Sequence, residues 1–402
     1  MIVLSGATLV LPDRLVDEGT VVIDGDRIVE VIVGRRAPEA GGSAPPRSLH
    51  GHYLVPGFID VHVHGVAGVD ALDGSDAVAS IGRALPRFGV TAFCPTSVAC
   101  EPAALAGLLR AVRRARTAPD RTSARVLPAH LESNFINPEW AGAQPVACLR
   151  RPPAASHPRA PAGETSGFSA QDILAEIERA QPDVGIVTLA PELDGALDLI
   201  RALVARGHRV SLGHSGATYE QAVAAIEAGA RQATHLFNRM RGMTHRDPGL
   251  TGAALAREEI AAEIICDGHH VHPAVIEIAV AAKSPSRLFA ITDGTAGSGL
   301  PAGARATLGG RPITVRDTAR LDDGTMAGSV LTMDRAFAML VGSVGLTPVA
   351  AAQLCATTPA RALGLHGLGL IAPGAAADLA LLDGRFQVVE TYVGGARVYA
   401  RR

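Results

Sequence analysis

Lysine is almost missing from this chain of 402 residues: Lys283 stands alone, and arginine supplies the rest of the positive charge. Chemistry that depends on a lysine therefore has a single candidate, and hydrophobic periodicity puts it on a late helix. Cysteine is also sparse. Cys94, Cys100, Cys148, Cys266 and Cys355 are odd in number and never spaced as CxxC. That pattern excludes a disulfide framework and a thiolate zinc site, and it predicts a reducing cytoplasmic setting. No apolar run approaches the roughly 18 residues that would span a bilayer. The opening MIVLSGATLVLPDRLVDEG lacks the basic segment and long apolar core of a signal peptide, so none is expected. Excess charge is absent as well. With a formal net charge of −2, the chain offers no clustered basic surface for nucleic acid or membrane. No GxGxxG follows the first candidate barrel strand, and no Walker-type phosphate loop occurs anywhere.

What is present is alternation. Residues 1–55 read as short strands, 2–10, 20–24 and 27–33, with Asp24-Gly25-Asp26 as a hairpin turn and a polar Pro/Gly-rich loop at 34–46. The strand habit returns at 379–382, 387–393 and 396–399. Both termini are thus expected to build one small β-sandwich domain, residues 1–55 and 361–402. Between them, candidate strands at 58–64, 90–97, 125–133, 184–192, 209–215, 232–238, 260–267 and 287–295 are separated by helical stretches. The helices are placed at 76–88, 102–116, 170–180, 193–206, 219–228, 273–283 and 330–341. Eight such repeats predict an α/β fold, a closed (β/α)8 TIM-like barrel over residues 56–360, rather than a doubly wound open sheet. A long Pro-, Ala- and Arg-rich loop, 134–166, follows the third strand, a length typical of functional lids or unstructured segments.

The chemistry-bearing residues cluster at strand ends. His62 and His64 end the first strand, Glu132 the third, His214 the fifth, His235 the sixth and Asp293 the eighth. In a barrel those ends meet at one rim. Period two puts His62 and His64 on one face of their strand. Glu132 and Asp293 follow apolar residues, where a lone carboxylate is costly to bury unless a cation offsets it. His130 shares the spacing of Glu132 but reads as a locally bonded strand histidine. His269, His270 and His272 follow the seventh strand, where at least one should face the rim. His50, His52, His157, His208, His245 and His366 read as surface or structural. Nitrogen and oxygen donors without thiolate suit one or two divalent ions, Zn²⁺, Fe²⁺, Co²⁺ or Mn²⁺, with zinc slightly favoured. Such an ion activates water for hydrolysis of an amide, ester or other C–N bond.

The run Pro56-Gly57-Phe58-Ile59-Asp60-Val61-His62-Val63-His64-Gly65, with an aspartate on the eighth strand, resembles the amidohydrolase superfamily. His130-Leu131-Glu132, Gly213-His214-Ser215-Gly216, Thr234-His235-Leu236-Phe237-Asn238-Arg239, Arg246-Asp247-Pro248-Gly249, Asp267-Gly268-His269-His270 and Ala327-Gly328-Ser329 resemble its branch acting on acetylated amino-sugar phosphates. The resemblance covers nearly the whole chain. It implies that Glu132, His214 and His235 hold the principal metal. It implies a second ion at His62 and His64 with Asp293, and Asp293 as general base and then acid. Asn238, Arg246 and His270 are implied to bind the sugar phosphate, Arg246 from a neighbouring subunit, hence a homodimer. By the same resemblance Arg239, Ala143, Gln144, Met326, Ala327 and Gly328 line the substrate site. The implied substrate is N-acetylglucosamine 6-phosphate, with the galactosamine epimer as a rival and a barrel that binds without catalysis as another. No lysine lies on the fourth strand, against branches that bridge two metals with a carboxylated lysine. Two departures bear on the epimer and acyl group: Ser133-Asn134 stands where the family usually has Gly-Pro, and Gln144 where a histidine is common.

Overall fold

The computed structural model describes residues 1–34, 47–153 and 167–401. Residues 35–46 of the expected 34–46 loop and residues 154–166 of the 134–166 segment, His157 among them, lie outside them. Eight barrel strands stand where alternation puts them: Phe58–Val63, Val90–Ser97, Ala129–Glu132, Val184–Leu189, Arg209–Leu212, Gln232–Ala233, Ala261–Ile265 and Leu288–Ile291. Each pairs in parallel with the next. Their near-continuous Val, Ile, Leu and Ala content follows from burial on both faces.

The barrel closes between its first and last strands. The Asp293 amide donates to the His62 carbonyl at 2.9 Å, and the His64 amide to Gly294 at 2.8 Å. Asp60 reinforces the seam, accepting from Thr292 Oγ1 at 2.6 Å and from the amides of Thr292 and His62. Burial pushes the Asp60 carboxyl up to about 6, only partly opposed by those bonds. Gly65 is needed at this seam, because a Cβ there would collide with the Val69 carbonyl and the Ala296 backbone.

Helices between strands follow the expected places, from Ala77–Ala84 through Met333–Gly342. Ser169 and Thr218 start two of them with reciprocal capping boxes through Asp172 and Gln221. Further elements were not anticipated. Gly249–Ala256 forms a helix after the sixth strand; seven of its eight residues are buried, which erases an amphipathic period. Helical turns Pro348–Ala352 and Thr358–Ala362 pack near the barrel's end. An antiparallel three-stranded sheet, Arg305–Leu308, Arg311–Val315 and Ala319–Leu321, follows the eighth strand. Its Gly309-Gly310 turn, both residues at positive φ, was the legible signal.

The termini form one sheet, ordered 396–400, 388–393, 379–382, 53–56, 2–10, 15–24 and 27–32, with 47–48 also beside 2–10. Asp378 ties this sheet to the barrel. Its nearly buried carboxylate takes Arg125 Nε at 2.7 Å, Arg125 Nη2 at 2.9 Å and the Gly394 amide at 2.6 Å. Asp378→Ala leaves that guanidinium and amide unmatched. Because Arg125 is partly exposed, the expected loss is about 2–3 kcal/mol, the low end for a broken buried pair. A lower midpoint in thermal unfolding checks it; an unchanged melt would show that the tie contributes nothing.

Candidate metal centre

Three residues of the rim hold backbone in the left-handed region, His214 at φ 49, His235 at φ 31 and Asp293 at φ 47. Non-glycine residues rarely adopt it, and such strain gathers where side chains must be aimed. Here each bend comes just past a strand end and turns the side chain into the mouth. Neighbours hold the bends: the Asn137 amide donates to the His214 carbonyl and the Ser329 amide to that of Asp293. Gly328, at φ 68, lets its loop pass against the Asp293 carbonyl. Glu192 fixes the turn after His214 by accepting from Ser215 Oγ and the Gly216 amide, both at 2.7 Å.

The side chains so aimed meet. Glu132 Oε1 lies 2.8 Å from both His214 Nε2 and His235 Nε2, and those nitrogens are 3.1 Å apart. Beside them, His62 Nε2 lies 3.3 Å from His64 Nε2, and Asp293 Oδ1 lies 3.4 and 3.2 Å from the two. Each triad gathers its ligand atoms within 4.8 Å. Glu132 also faces the second triad, at 3.5 Å from His64 Nε2.

The donor inventory tests whether cations fit. His214 Nδ1 is 2.9 Å from the Trp140 carbonyl, a pure acceptor, so that nitrogen carries the proton. His62 Nδ1 is held likewise by Glu263 Oε2 at 2.9 Å. Their Nε2 atoms, if neutral, then present lone pairs to carboxylate oxygens and to one another. Only protons or cations reconcile acceptors at such distances, so the residues fit a divalent metal at either triad.

Without metal, protons fill the gap. Burial opposes charge on His64, yet Asp293 and Glu132 raise it to about 10; against the same penalty Glu132 raises His235 to about 9. Burial alone would raise the Glu132 carboxyl, but the imidazoles hold it well below the usual range. Both histidines are therefore protonated below about pH 9 in the stripped protein, and a cation must displace those protons. Metal uptake near neutrality is expected to release about two protons, and apparent affinity should fall as pH drops. Calorimetry in two buffers of different ionisation enthalpy reads the release; uptake without it would contradict the protonation of His64 and His235.

His130 is bonded at both nitrogens, Nδ1 to the Val61 carbonyl and Nε2 to Thr188 Oγ1, and burial together with His62 pushes it down to about 4. A cavity of about 230 Å³ opens over the triads, and Ala143, Gln144, Asn238, Arg239, His270, Met326 and Gly328 line it. Leu308, from the unanticipated sheet, lines it too. Ala327 sits one residue behind the wall, buried against Leu308 and Ile313. Arg246 is exposed and does not line the cavity of its own chain. Gln144 is locked at both ends: its Oε1 accepts the Ala99 amide at 2.7 Å and its Nε2 donates to Glu132 Oε2. Asp267 Oδ2 takes His270 Nδ1 at 2.6 Å. Glu263 went unnoticed in the sequence, although it is a carboxylate on an apolar strand exactly as Glu132 is.

Residues 53–398 match the amidohydrolase family. The chain is 35% identical over 345 residues to the N-acetylgalactosamine-6-phosphate deacetylase of Escherichia coli O157:H7, spanning 85% of this chain and 86% of that protein. It is 37% identical over 365 residues to the N-acetylglucosamine-6-phosphate deacetylase of Mus musculus, spanning 88% and 85%. A solved variant of the Mycobacterium smegmatis N-acetyl-D-glucosamine-6-phosphate deacetylase, in complex with N-acetyl-D-glucosamine-6-phosphate, is similar at TM-score 0.87 and 32% identity over 99% of each chain.

Proposed function

The chain belongs to the amidohydrolase family, and on that premise we propose that it hydrolyses N-acetyl-D-glucosamine 6-phosphate to D-glucosamine 6-phosphate and acetate. The observation that carries this reading is the pair of acidic and imidazole triads at the base of a cavity whose wall holds Asn238, Arg239 and His270. Glu132, His214 and His235 would hold the principal cation, and His62, His64 and Asp293 a second, zinc being the ion the donor set favours. Bound there, a divalent cation supplies Lewis acidity toward water and the acyl oxygen.

The protein's own groups manage the protons. Burial would raise the Asp293 carboxyl, but His62 and His64 outweigh it and keep it ionised at neutral pH. Asp293 Oδ1 thus accepts a proton from the attacking water and returns it to the departing amine nitrogen as the C–N bond breaks. Arg246 from a second subunit of a homodimer grips the phosphate together with Asn238, the guanidinium fork being suited to it, and Arg239 lines the same wall. The exposure of Arg246 supports that assignment. His270, oriented by Asp267, meets a phosphate or hydroxyl oxygen. The 1–55 and 361–402 segments are assigned to a small domain that carries no site residue. No helix among the described residues is long and apolar enough to cross a membrane, and a cytoplasmic enzyme is the reading adopted.

The galactosamine epimer is the second reading, favoured by the name of the E. coli relative. Acetate release is measured with both 6-phosphates and with their unphosphorylated forms. Faster turnover of the glucosamine substrate is expected, with little from either unphosphorylated sugar; preference for the epimer would replace the assignment.

A further inference from the structure

A second cavity, about 520 Å³, opens at the opposite end of the barrel, under the starts of the third, fourth and fifth strands. Arg116, Arg206, His208 and Arg209 line it together with apolar Ile186 and Leu363. Acid there is scarce. Asp183 is already engaged by Arg113 and Arg116. Among the described residues Arg206 has one acidic partner, the exposed Glu178 at 4.0 Å.

Arg209 has no carboxylate within 4 Å among the described residues. Its guanidinium donates to three neutral acceptors: Gln232 Oε1 at 2.6 Å, the Ala362 carbonyl at 2.9 Å and the Arg231 carbonyl at 2.8 Å. Those bonds orient the fork without cancelling its charge, and two of its five N–H groups stay unused. Burial lowers Arg209 only to about 10, so it is cationic at neutral pH.

Arg209 also heads a chain of bonds through the barrel core. Gln232, held by Arg209 Nε, donates through Nε2 to Glu263 Oε1 at 2.5 Å. Glu263 Oε2 holds His62 Nδ1 at 2.9 Å and accepts the His235 amide at 3.1 Å. Gln232, Glu263 and His62 are fully buried. Their charges answer one another in a low-dielectric setting, Glu263 lying between His62 on one side and the Arg209 dipole link on the other.

We propose that the lower cavity is a second binding site, for a small phosphate-bearing molecule, and that its occupancy is read at the metal centre through Arg209, Gln232 and Glu263. The planar arginine forks meet the oxyanion, and Ile186 and Leu363 face the ligand's carbon skeleton. A bound anion draws the Arg209 charge toward itself and weakens its hold on Gln232. Glu263, and with it the His62 ring, is then less firmly set.

The test uses metal-loaded full-length protein and inorganic phosphate as probe. Calorimetry should count two phosphate sites per chain, and Arg206→Ala, on the exposed rim, should weaken one of them by about tenfold. Arg209→Gln should remove that same site. At saturating substrate, phosphate should change kcat in the wild type, and Arg206→Ala should need about tenfold more phosphate for the same change. Phosphate sites, whether one or two per chain, that are indifferent to both variants overturn the site. Purely competitive inhibition, equal in wild type and Arg206→Ala, overturns the coupling. The calorimetric count does not depend on deacetylation, so failure of the proposed reaction would be seen separately.

Discussion

Replacing Asp293 by asparagine is expected to lower turnover about a thousandfold while the principal metal stays bound. Asparagine keeps the shape and the backbone bonds that close the barrel, but its side chain accepts no proton at neutral pH. The water then loses its base and the leaving nitrogen its acid. Glu132, His214 and His235 are untouched by the change, because among the described residues Asp293 Oδ1 pairs with His62 and His64. Elemental analysis of the purified variant should therefore find at least one equivalent of metal, whereas acetate release falls. Activity within tenfold of the wild type would remove Asp293 from the proton path; loss of all metal would make it a ligand first.

The arrangement behind that expectation is partly legible in the sequence. The barrel was, because eight apolar runs separated by amphipathic stretches leave few other ways to bury both faces of a parallel sheet. Convergence of His62, His64, Glu132, His214, His235 and Asp293 was legible for a related reason: strand ends in a barrel share a rim. What lay hidden is informative. Glu263 carried the same signal as Glu132, a carboxylate among Ala262, Ile264 and Ile265, yet it sits mid-strand, below the rim where ligands are sought. Its partners lie on other strands, Gln232 on the neighbouring sixth and His62 on the first, so no pattern within its own strand pairs them. The Gly249–Ala256 helix was invisible because burial all round leaves no polar face to set a period. The Arg305–Leu321 sheet was missed because its strands are short and rich in arginine, with Pro312 inside the middle one, although Arg311 Nη1 from it holds the Ala143 carbonyl at 2.7 Å and so helps shape the cavity wall. Spacing nominated His130 and Glu132 alike; only the bonds to Val61 and Thr188 separate a structural imidazole from one facing the mouth.

Glu132→Gln should have the larger effect of the two, and by a different route. Glu132 contacts both triads, touching His214 and His235 through one oxygen and His64 through the other. An amide in its place removes the negative charge that draws a cation to the principal site. A bound cation contributes several kcal/mol to hydrolysis, and each ~1.4 kcal/mol is a factor of ten, so turnover should fall by about 10³ to 10⁴. Metal content should fall with it, the feature that separates this variant from Asp293→Asn. Unfolding is the rival explanation, since removing one partner of a buried charge pair costs stability. Here the penalty is limited, because His64 and His235 can release their protons once the carboxylate is gone. The far-ultraviolet dichroism should therefore remain that of the wild type. Glu132→Asp keeps the charge but withdraws it by one methylene, and should recover part of the metal and part of the rate together. A Glu132→Gln protein that retains full metal and turns over normally would mean that the cation is held elsewhere, and the assignment of this triad would fall.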